Sequence, residues 1–189
     1  SLSDSFWAWK GDGAHGERLD LITGTRRSLT PRPSQAATVQ HGFATISKFF
    51  PGGKALTAAL EERLMEAVLG RPADGNPLVF DDQYLSSGGQ LYELMVGHDR
   101  FNADLRPITL AAAEPNAPVA RLCAHPYDLC AELVAREAGV IVTDDRGGPL
   151  RAPLDLHANV AWIGYANAAI QQQIEPTLLA LLEELRGRG

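Results

Sequence analysis

Apolar residues recur at helical spacing in two long segments of the chain. Segment 53–70 repeats leucine or valine every four positions, and the glycine and proline near its end predict where the helix stops. Segment 168–189 shows similar spacing and predicts a final helix, which Pro176 should kink or restart. The apolar positions of the first helix are Leu56, Leu60, Leu64 and Val68.

Short apolar runs between these helices have the length and the flanking turn residues of strands. Another short helix is predicted at 88–99. Strand and helix therefore alternate from about residue 36, which predicts the α/β class, a sheet with helices on its faces. In such sheets ligands bind beyond the carboxyl ends of the strands. The predicted strands are 37–43, 77–83, 100–107, 139–145 and 159–167, and residues 108–120 form an Ala/Pro-rich connector.

The N-terminal residues follow a different pattern. Two apolar runs, 5–10 and 18–23, flank a glycine-rich turn and predict a β-hairpin. Residues 24–35 are polar, contain two prolines and predict a linker. We therefore divide the chain into a hairpin with its linker, 1–33, and a C-terminal α/β domain, 34–189.

Composition and charge narrow the classes of function. Hydrophobic residues make up 45% of the chain and charged residues 21%, the mixture of a globular protein. The net charge of −6 and the scattered charges argue against a nucleic-acid partner, and no apolar run is long enough for a membrane partner. A small anionic substrate would therefore need a local positive group, such as a metal ion or a helix N-terminus.

The two cysteines, Cys123 and Cys130, have none of the spacings of zinc sites. Cys130 falls within a predicted apolar helix, where we expect a buried free thiol. Free thiols and the lack of a secretion signal indicate a reducing compartment, so we expect a cytoplasmic protein.

Residues 124–150, AHPYDLCAELVAREAGVIVTDDRGGPL, place a carboxylate at the start of an apolar helix. Pro126 suits the first helical position, and Asp128 then lies in the first turn. Its carboxylate either interacts with the helix dipole or serves as a ligand for Mg²⁺ beside a phosphate, with His125 as a second candidate. The residues alone leave both interpretations open.

Two other segments carry candidate chemistry. Asp81 and Asp82 end a predicted strand, where they form a turn or one of them binds a hard cation. The segment SSGGQ, 86–90, either caps the next helix through Ser86 or Ser87, or brings backbone amides close to a ligand. The sequence contains no nucleophile elbow, phosphate loop or zinc signature.

Four segments together resemble the Mg²⁺-dependent, lithium-sensitive phosphatase superfamily typified by inositol monophosphatase. Residues 125–150 are similar to that family's C-terminal signature, in which a Trp-Asp pair opens a helix before Glu-Ala-Gly-Gly, a strand and Thr-Asp. Residues 86–105 resemble its Gly-Ser-Ala segment with the helix and strand that follow. FWAWKGDGAHGERL, 6–19, resembles its hairpin, and GYAN, 164–167, resembles the Ala-Ala-Asn before its last helix.

The resemblance implies a fold and four site residues. The fold would be the second half of an αβαβα sandwich, in which helices sandwich a sheet, preceded by a β-hairpin left from the first layer. Asp128 would be a ligand of the catalytic Mg²⁺, and Asp104 would contact a substrate hydroxyl. Ser87 and Gly88 would line the substrate. Tyr127 departs from the family pattern, because it stands where the family has tryptophan.

A larger departure concerns the metal motifs. The family's acidic pair and its Asp-Pro-x-Asp-Gly-Thr motif precede the hairpin, and neither occurs in these 189 residues. The chain therefore resembles the C-terminal part of such an enzyme, with 1–33 belonging to a mostly absent N-terminal α+β domain. We expect a Mg²⁺-dependent phosphomonoesterase of the inositol monophosphatase type whose C-terminal part is inactive in isolation. Its Mg²⁺ would need ligands from residues absent here.

The expected partners follow from the same resemblance. They are a small phosphorylated metabolite and either the missing N-terminal portion or a second copy of the chain, because the hairpin would otherwise expose a bare sheet edge. The alternative is a non-catalytic small-molecule or protein-binding module derived from that fold.

Overall fold

The computed structural model describes residues 1–73, 75–114 and 123–187. These residues form two sheets with helices between and beside them. The first sheet contains β1 Leu2–Ala8, β2 Ala14–Asp20 and β3 Arg26–Ser28, and the second contains β4 Phe43–Ile46, β5 Asp99–Asp104, β6 Ile141–Thr143 and β7 Trp162–Tyr165. The α-helices are α1 Lys54–Leu69, α2 Ser87–Met95, α3 Arg106–Ala113, α4 Glu132–Glu137 and α5 Ala168–Arg186, and a 3₁₀ helix spans Pro126–Leu129.

The second sheet has the strand order β4-β5-β7-β6, in which β4 and β5 are parallel and the other pairs are antiparallel. Helices α1 and α5 pack on one face, and α2 and α4 pack on the other. Neighbouring residues of β7 point to opposite faces, so Ile163 lies in the α1/α5 core and Trp162 in the α2/α4 core. The predicted α/β class, a sheet with helices on its faces, is confirmed.

The first sheet lies against the outer side of the α2/α4 layer. Phe6 of β1 packs on Tyr92 of α2, with ring centroids 5.7 Å apart, and the Tyr92 hydroxyl donates to Asp4 at 2.7 Å. At the β1–β2 turn, the amides of Gly11 and Gly13 donate to the Glu137 carboxylate at 2.8 and 2.9 Å. Both glycines have positive φ, which suits them to this tight turn. The layers therefore run helix, sheet, helix, sheet.

Several predicted loops and strands were wrong. The predicted linker, 24–35, contains β3, because its residues pair with β2 and extend the hairpin to three strands. The predicted strand 77–83 forms only an isolated bridge between Phe80 and Phe43. In place of the predicted strand 37–43, β4 begins at the end of that range. The domain division between residues 33 and 34 stays a prediction.

The predicted connector 108–120 was also partly wrong, because α3 occupies its first part. Pro107 lies in the first turn of α3, where a missing N–H costs nothing. The rest of the connector, from residue 115, lies outside the described residues.

The apolar segment after Asp128 does not form one helix. A 3₁₀ helix and then α4 divide it, and Cys130 lies exposed between them, so the predicted buried thiol was wrong. Helix α5 runs through Pro176 without the predicted restart. No helix in the described ranges combines the length and apolarity needed to cross a bilayer.

Candidate functional site

A cavity of about 220 Å³ lies where the N-terminus of α2, the start of α3 and the 3₁₀ helix meet. It sits beyond the carboxyl end of β5, where ligands bind in α/β sheets. Of the four residues named from sequence, Ser87 and Asp128 line this cavity, and Gly88 and Asp104 do not. The lining residues are Phe50, Leu85, Ser86, Ser87, Arg106, Cys123, His125, Tyr127 and Asp128.

The Asp128 carboxylate caps the 3₁₀ helix with one oxygen. Its Oδ2 accepts a hydrogen bond from the His125 backbone amide at 2.8 Å, and His125 Nδ1 lies 3.5 Å from the same atom. The His125 ring stacks on Tyr127, with centroids 5.2 Å apart and an interplanar angle of 3°. Asp128 Oδ1 has no hydrogen-bond partner among the described residues and belongs to a side chain that is 36% exposed. Asp128 therefore caps the 3₁₀ helix through Oδ2, and its role as a metal ligand stays a prediction.

The N-terminus of α2 supplies hydroxyl and amide groups. Ser86 is the N-cap, and its Oγ accepts a hydrogen bond from the Gly89 amide at 3.0 Å. The amides of Ser87 and Gly88 have no acceptor in the described part of the chain, as is usual for the first turn of a helix. Gly88 has open space around its Cα, with nothing within 4 Å of an added Cβ. Such a helix start suits the binding of an anion.

Arg106 is the cation of the cavity, and its charge is shared with Asp104. Arg106 Nε and Nη2 donate to the two oxygens of Asp104 at 2.8 and 2.5 Å, and the Arg106 amide adds a contact of 3.2 Å. Asp104 is fully buried, so this bidentate pair neutralises a carboxylate that water does not reach. Asp104 therefore orients Arg106 from the protein interior and does not line the cavity.

Two aromatic rings hold the other side of the guanidinium. Arg106 Cζ lies 5.2 Å from the ring centroid of Phe49 and 5.8 Å from that of Phe50. Burial tends to lower the pKa of Arg106, but the hydrogen bonds and charge of Asp104 outweigh it and raise the pKa above its ordinary value. The side chain is therefore a fixed positive charge at every physiological pH.

Cys123 lines the cavity but is a poor nucleophile. Burial raises the pKa of its thiol to about 11, and the nearby Asp104 carboxylate adds to the effect. The thiol is therefore protonated at neutral pH, and the thiolate that cysteine catalysis needs is not formed.

A larger groove of about 340 Å³ lies against α1 and residues 78–81, away from these groups. Asp81 is at its edge and already has a cation, because Lys48 Nζ lies 2.7 Å from Asp81 Oδ2 and 2.7 Å from Glu61 Oε2. Thr45 also donates a short hydrogen bond to Asp81. We therefore place the candidate site in the smaller cavity.

Sequence reasoning missed Arg106. It lies two positions after Asp104, near the end of the predicted strand 100–107, and an arginine at the end of a strand is usually solvated. A signal was present in the short spacing between Asp104 and Arg106, because a carboxylate that becomes buried at a strand end needs a nearby cation. Only the fold shows that this cation also reaches the cavity.

The residues of the cavity fit a Mg²⁺ ion only in part. Asp128 Oδ1 is a hard oxygen ligand of the kind that Mg²⁺ prefers. Asp104 is already paired with Arg106, and Asp128 belongs to no cluster of three ligating side chains in the described ranges. One carboxylate would bind such an ion weakly, so further oxygen ligands must come from water, phosphate or other polypeptide.

No protein-family model matches the chain, and no curated protein matches it. Among solved structures, it is similar to fructose-1,6-bisphosphatase of Leishmania major in the T-state, with a TM-score of 0.49 and 13% identity. That match covers 100% of this chain and 51% of the other. An inositol monophosphatase–fructose 1,6-bisphosphatase matches with a TM-score of 0.45 and 12% identity, over 89% of this chain and 60% of the other. The chain thus spans about half of one structure and three-fifths of the other.

Proposed function

We propose that this chain is part of a Mg²⁺-dependent phosphomonoesterase and that the cavity beyond β5 binds the phosphate of a small metabolite. The observation that carries the proposal is that Ser87 and Asp128 line one cavity beside Arg106. Both residues belong to segments that resemble the inositol monophosphatase family in sequence. More specifically, we propose that the phosphomonoesterase is of the inositol monophosphatase type.

The phosphate would be held by groups of this chain. Ser87 lines the cavity, and its amide and that of the next residue, Gly88, lie in the first turn of α2, where the helix dipole favours an anion. Arg106 faces them across the cavity with a charge that its aromatic neighbours keep in place. Phe50 and Leu85 supply apolar side chains at the cavity wall. These contacts would orient the ester for attack without forming any bond to it.

Asp128 is the residue of this chain that would hold the metal, through Oδ1. When bound, Mg²⁺ supplies an activated water molecule and neutralises charge on the phosphate and leaving oxygen. The His125 amide keeps the carboxylate in place by binding Oδ2. Because the described residues offer a single unpaired carboxylate at the cavity, we propose that the chain by itself does not turn over a phosphate ester.

The proposal is tested by titrating the isotope-labelled chain with inorganic phosphate, in the presence and absence of millimolar Mg²⁺. We expect the amide signals of Ser87, Gly88 and Asp128 to shift with phosphate, and to shift at lower phosphate concentration when Mg²⁺ is present. Asp128→Asn should remove the effect of Mg²⁺ and keep the weak effect of phosphate. A phosphate-release assay on the same sample should show no turnover.

The matched control is Asp155→Asn. Asp155 Oδ1 accepts a hydrogen bond from the His157 amide at 2.6 Å in an exposed loop. Like Asp128, it therefore binds a backbone amide, but it does not line the cavity. This variant should respond as the wild type does. The proposal fails if phosphate shifts no signal at the cavity, or if Asp155→Asn and Asp128→Asn behave alike.

The charge balance of the cavity favours a second candidate, a non-catalytic binding module. Asp104 is neutralised by Arg106, so the described residues place only one unpaired carboxylate beside Ser87. A module of this kind would bind a small phosphorylated molecule with no effect of Mg²⁺. Equal phosphate affinity with and without Mg²⁺ in the titration would select it.

A further inference from the structure

A second group of ligating side chains lies at the opposite end of β5 from the cavity. Glu93 in α2, His98 in the connection and Asp99 at the start of β5 bring one ligand atom each within 4.8 Å of one another. No other cluster of this kind occurs in the described ranges of the chain. It includes none of the residues that line the cavity.

The backbone at the end of α2 brings Glu93 and His98 together. The His98 amide donates to the Glu93 carbonyl at 3.0 Å, and the Gly97 amide donates to the Leu94 carbonyl at 3.3 Å. Gly97 has φ +79, and these two bonds form the glycine-terminated helix end known as a Schellman motif. A Cβ on Gly97 would also lie 2.7 Å from the Arg32 carbonyl oxygen, so the position requires glycine. Two backbone hydrogen bonds and the glycine therefore define the conformation of this connection.

The two separations between His98 Nδ1 and the carboxylate oxygens match those between ligand atoms around a bound metal. His98 Nδ1 lies 3.1 Å from Glu93 Oε2 and 3.1 Å from Asp99 Oδ1. Two ligands at about 2.1 Å from a metal, at octahedral to tetrahedral angles, lie about 3.0–3.4 Å apart. A single Nδ1 carries at most one hydrogen, so it serves at most one of these two carboxylates as a donor.

The buried carboxylate of Asp99 is a second observation, independent of these distances, that points to a bound cation. Its side chain is 1% exposed, and Oδ1 has no hydrogen-bond partner among the described residues, although His98 Nδ1 lies 3.1 Å from it. The other oxygen, Oδ2, is held by the Asn102 amide group at 2.6 Å. A buried carboxylate oxygen without a donor is costly, and a cation is the group that removes the cost. Asn102 has the orienting role that outer residues have around metals.

We propose that Glu93, His98 and Asp99 form a binding site for a first-row transition-metal dication of the Zn²⁺ type. Two carboxylates and one imidazole supply two negative charges and a nitrogen ligand, which suits Zn²⁺ and disfavours Mg²⁺. His98 is 40% exposed, so water completes the coordination on that side. The ion joins the end of α2 to the start of β5, and the other ends of these two elements carry Ser87 and Asp104.

The test is a Zn²⁺ titration of the untagged chain by calorimetry, with the Co²⁺ complex examined by visible absorption. We expect one equivalent of Zn²⁺, a Co²⁺ spectrum typical of mixed nitrogen and oxygen ligands, and shifts of the His98 and Asp99 amide signals. His98→Gln should weaken Zn²⁺ binding about tenfold or more, and Glu93→Gln should weaken it in the same direction. Amide spectra of the variants without metal verify that each is folded.

The matched control is His15→Gln. His15 Nε2 also lies 3.2 Å from a carboxylate, that of Asp12, but this pair is exposed and belongs to no cluster of three ligating side chains among the described residues. Its variant and Asp128→Asn should both keep the wild-type Zn²⁺ affinity, which separates this site from the cavity. Absence of Zn²⁺ binding, unchanged affinity in His98→Gln, or loss of binding in His15→Gln would each overturn the proposal.

Discussion

Arg106 covers the fully buried carboxylate of Asp104 and carries the positive charge of the candidate cavity. The two residues are two positions apart, across the junction where β5 ends and α3 begins. The pair links stability to the site, because the same guanidinium that satisfies Asp104 also faces the cavity. A change in either residue should therefore affect folding as well as binding.

Arg106→Met should destabilise the chain by about 3–5 kcal/mol, because it leaves the Asp104 charge buried without a cation. Chemical denaturation at neutral pH measures the free energy of unfolding. Arg63→Met is the control, since Arg63 pairs with Glu184 at the surface and its loss should cost less than about 1 kcal/mol. The double variant Asp104→Asn/Arg106→Met should recover part of the loss. Equal stability of the two arginine variants would contradict this account.

Tyr165→Phe tests the buried phenol in the α1/α5 core. The Tyr165 hydroxyl has no hydrogen-bond partner among the described residues, so its removal at neutral pH should change stability by less than about 1 kcal/mol. Burial, and then the charge of Glu175, raises the pKa of Tyr165 well above its ordinary value. The folded chain therefore keeps a proton that the unfolded chain loses above about pH 10, and stability falls as the pH rises through that region.

Denaturation between pH 8 and 11 should show a steeper loss of stability for the wild type than for Tyr165→Phe. Tyr127→Phe, at a tyrosine that is 54% exposed, should keep the wild-type slope. If Tyr165→Phe and the wild type lose stability in parallel, the phenol is not the group responsible.

Gly164→Ala tests how closely α2 packs on β7. An added Cβ would lie 2.6 Å from Leu94 Cδ1 and 3.0 Å from the Trp162 ring, so we expect a loss of about 1–3 kcal/mol. Gly88→Ala is the control in the same layer, because its Cβ meets nothing within 4 Å and alanine favours a helix by about 0.5–1 kcal/mol. Urea denaturation should therefore show a lower free energy of unfolding for Gly164→Ala and a higher one for Gly88→Ala.

The edge of β1 should favour association with another chain. In the described part of the chain, β1 pairs only with β2, and Trp7 and Trp9 are 41% and 61% exposed. Light scattering should show a dimer whose fraction grows with concentration, and Ser5→Lys should reduce it. Thr23→Lys, in the exposed turn after β2, should leave it unchanged. A clean monomer with slow amide exchange across residues 5–22 would refute this prediction.

The long elements were predictable because their apolar spacing reports the side that is buried. Helices α1 and α5, with strands β5 and β7, lie where the sequence pattern placed them. The short elements were not, because three residues of β3 gain their hydrogen bonds from β2 and have no pattern of their own. The 3₁₀ helix and α4 replace one predicted helix for a similar reason, since their packing partners lie far away in sequence.

The features of the candidate site also divide into those that the local sequence indicates and those that only the fold decides. Local sequence indicated Ser86 or Ser87 as the cap of α2 and placed Asp128 in a first turn behind Pro126, because capping and turn chemistry involve neighbours within four positions. The fold alone decided that these two helix starts meet in one cavity, that Asp104 is covered by Arg106, and that His98 lies between Glu93 and Asp99. Those relationships depend on which residues are excluded from water together, and that is settled by packing between distant segments.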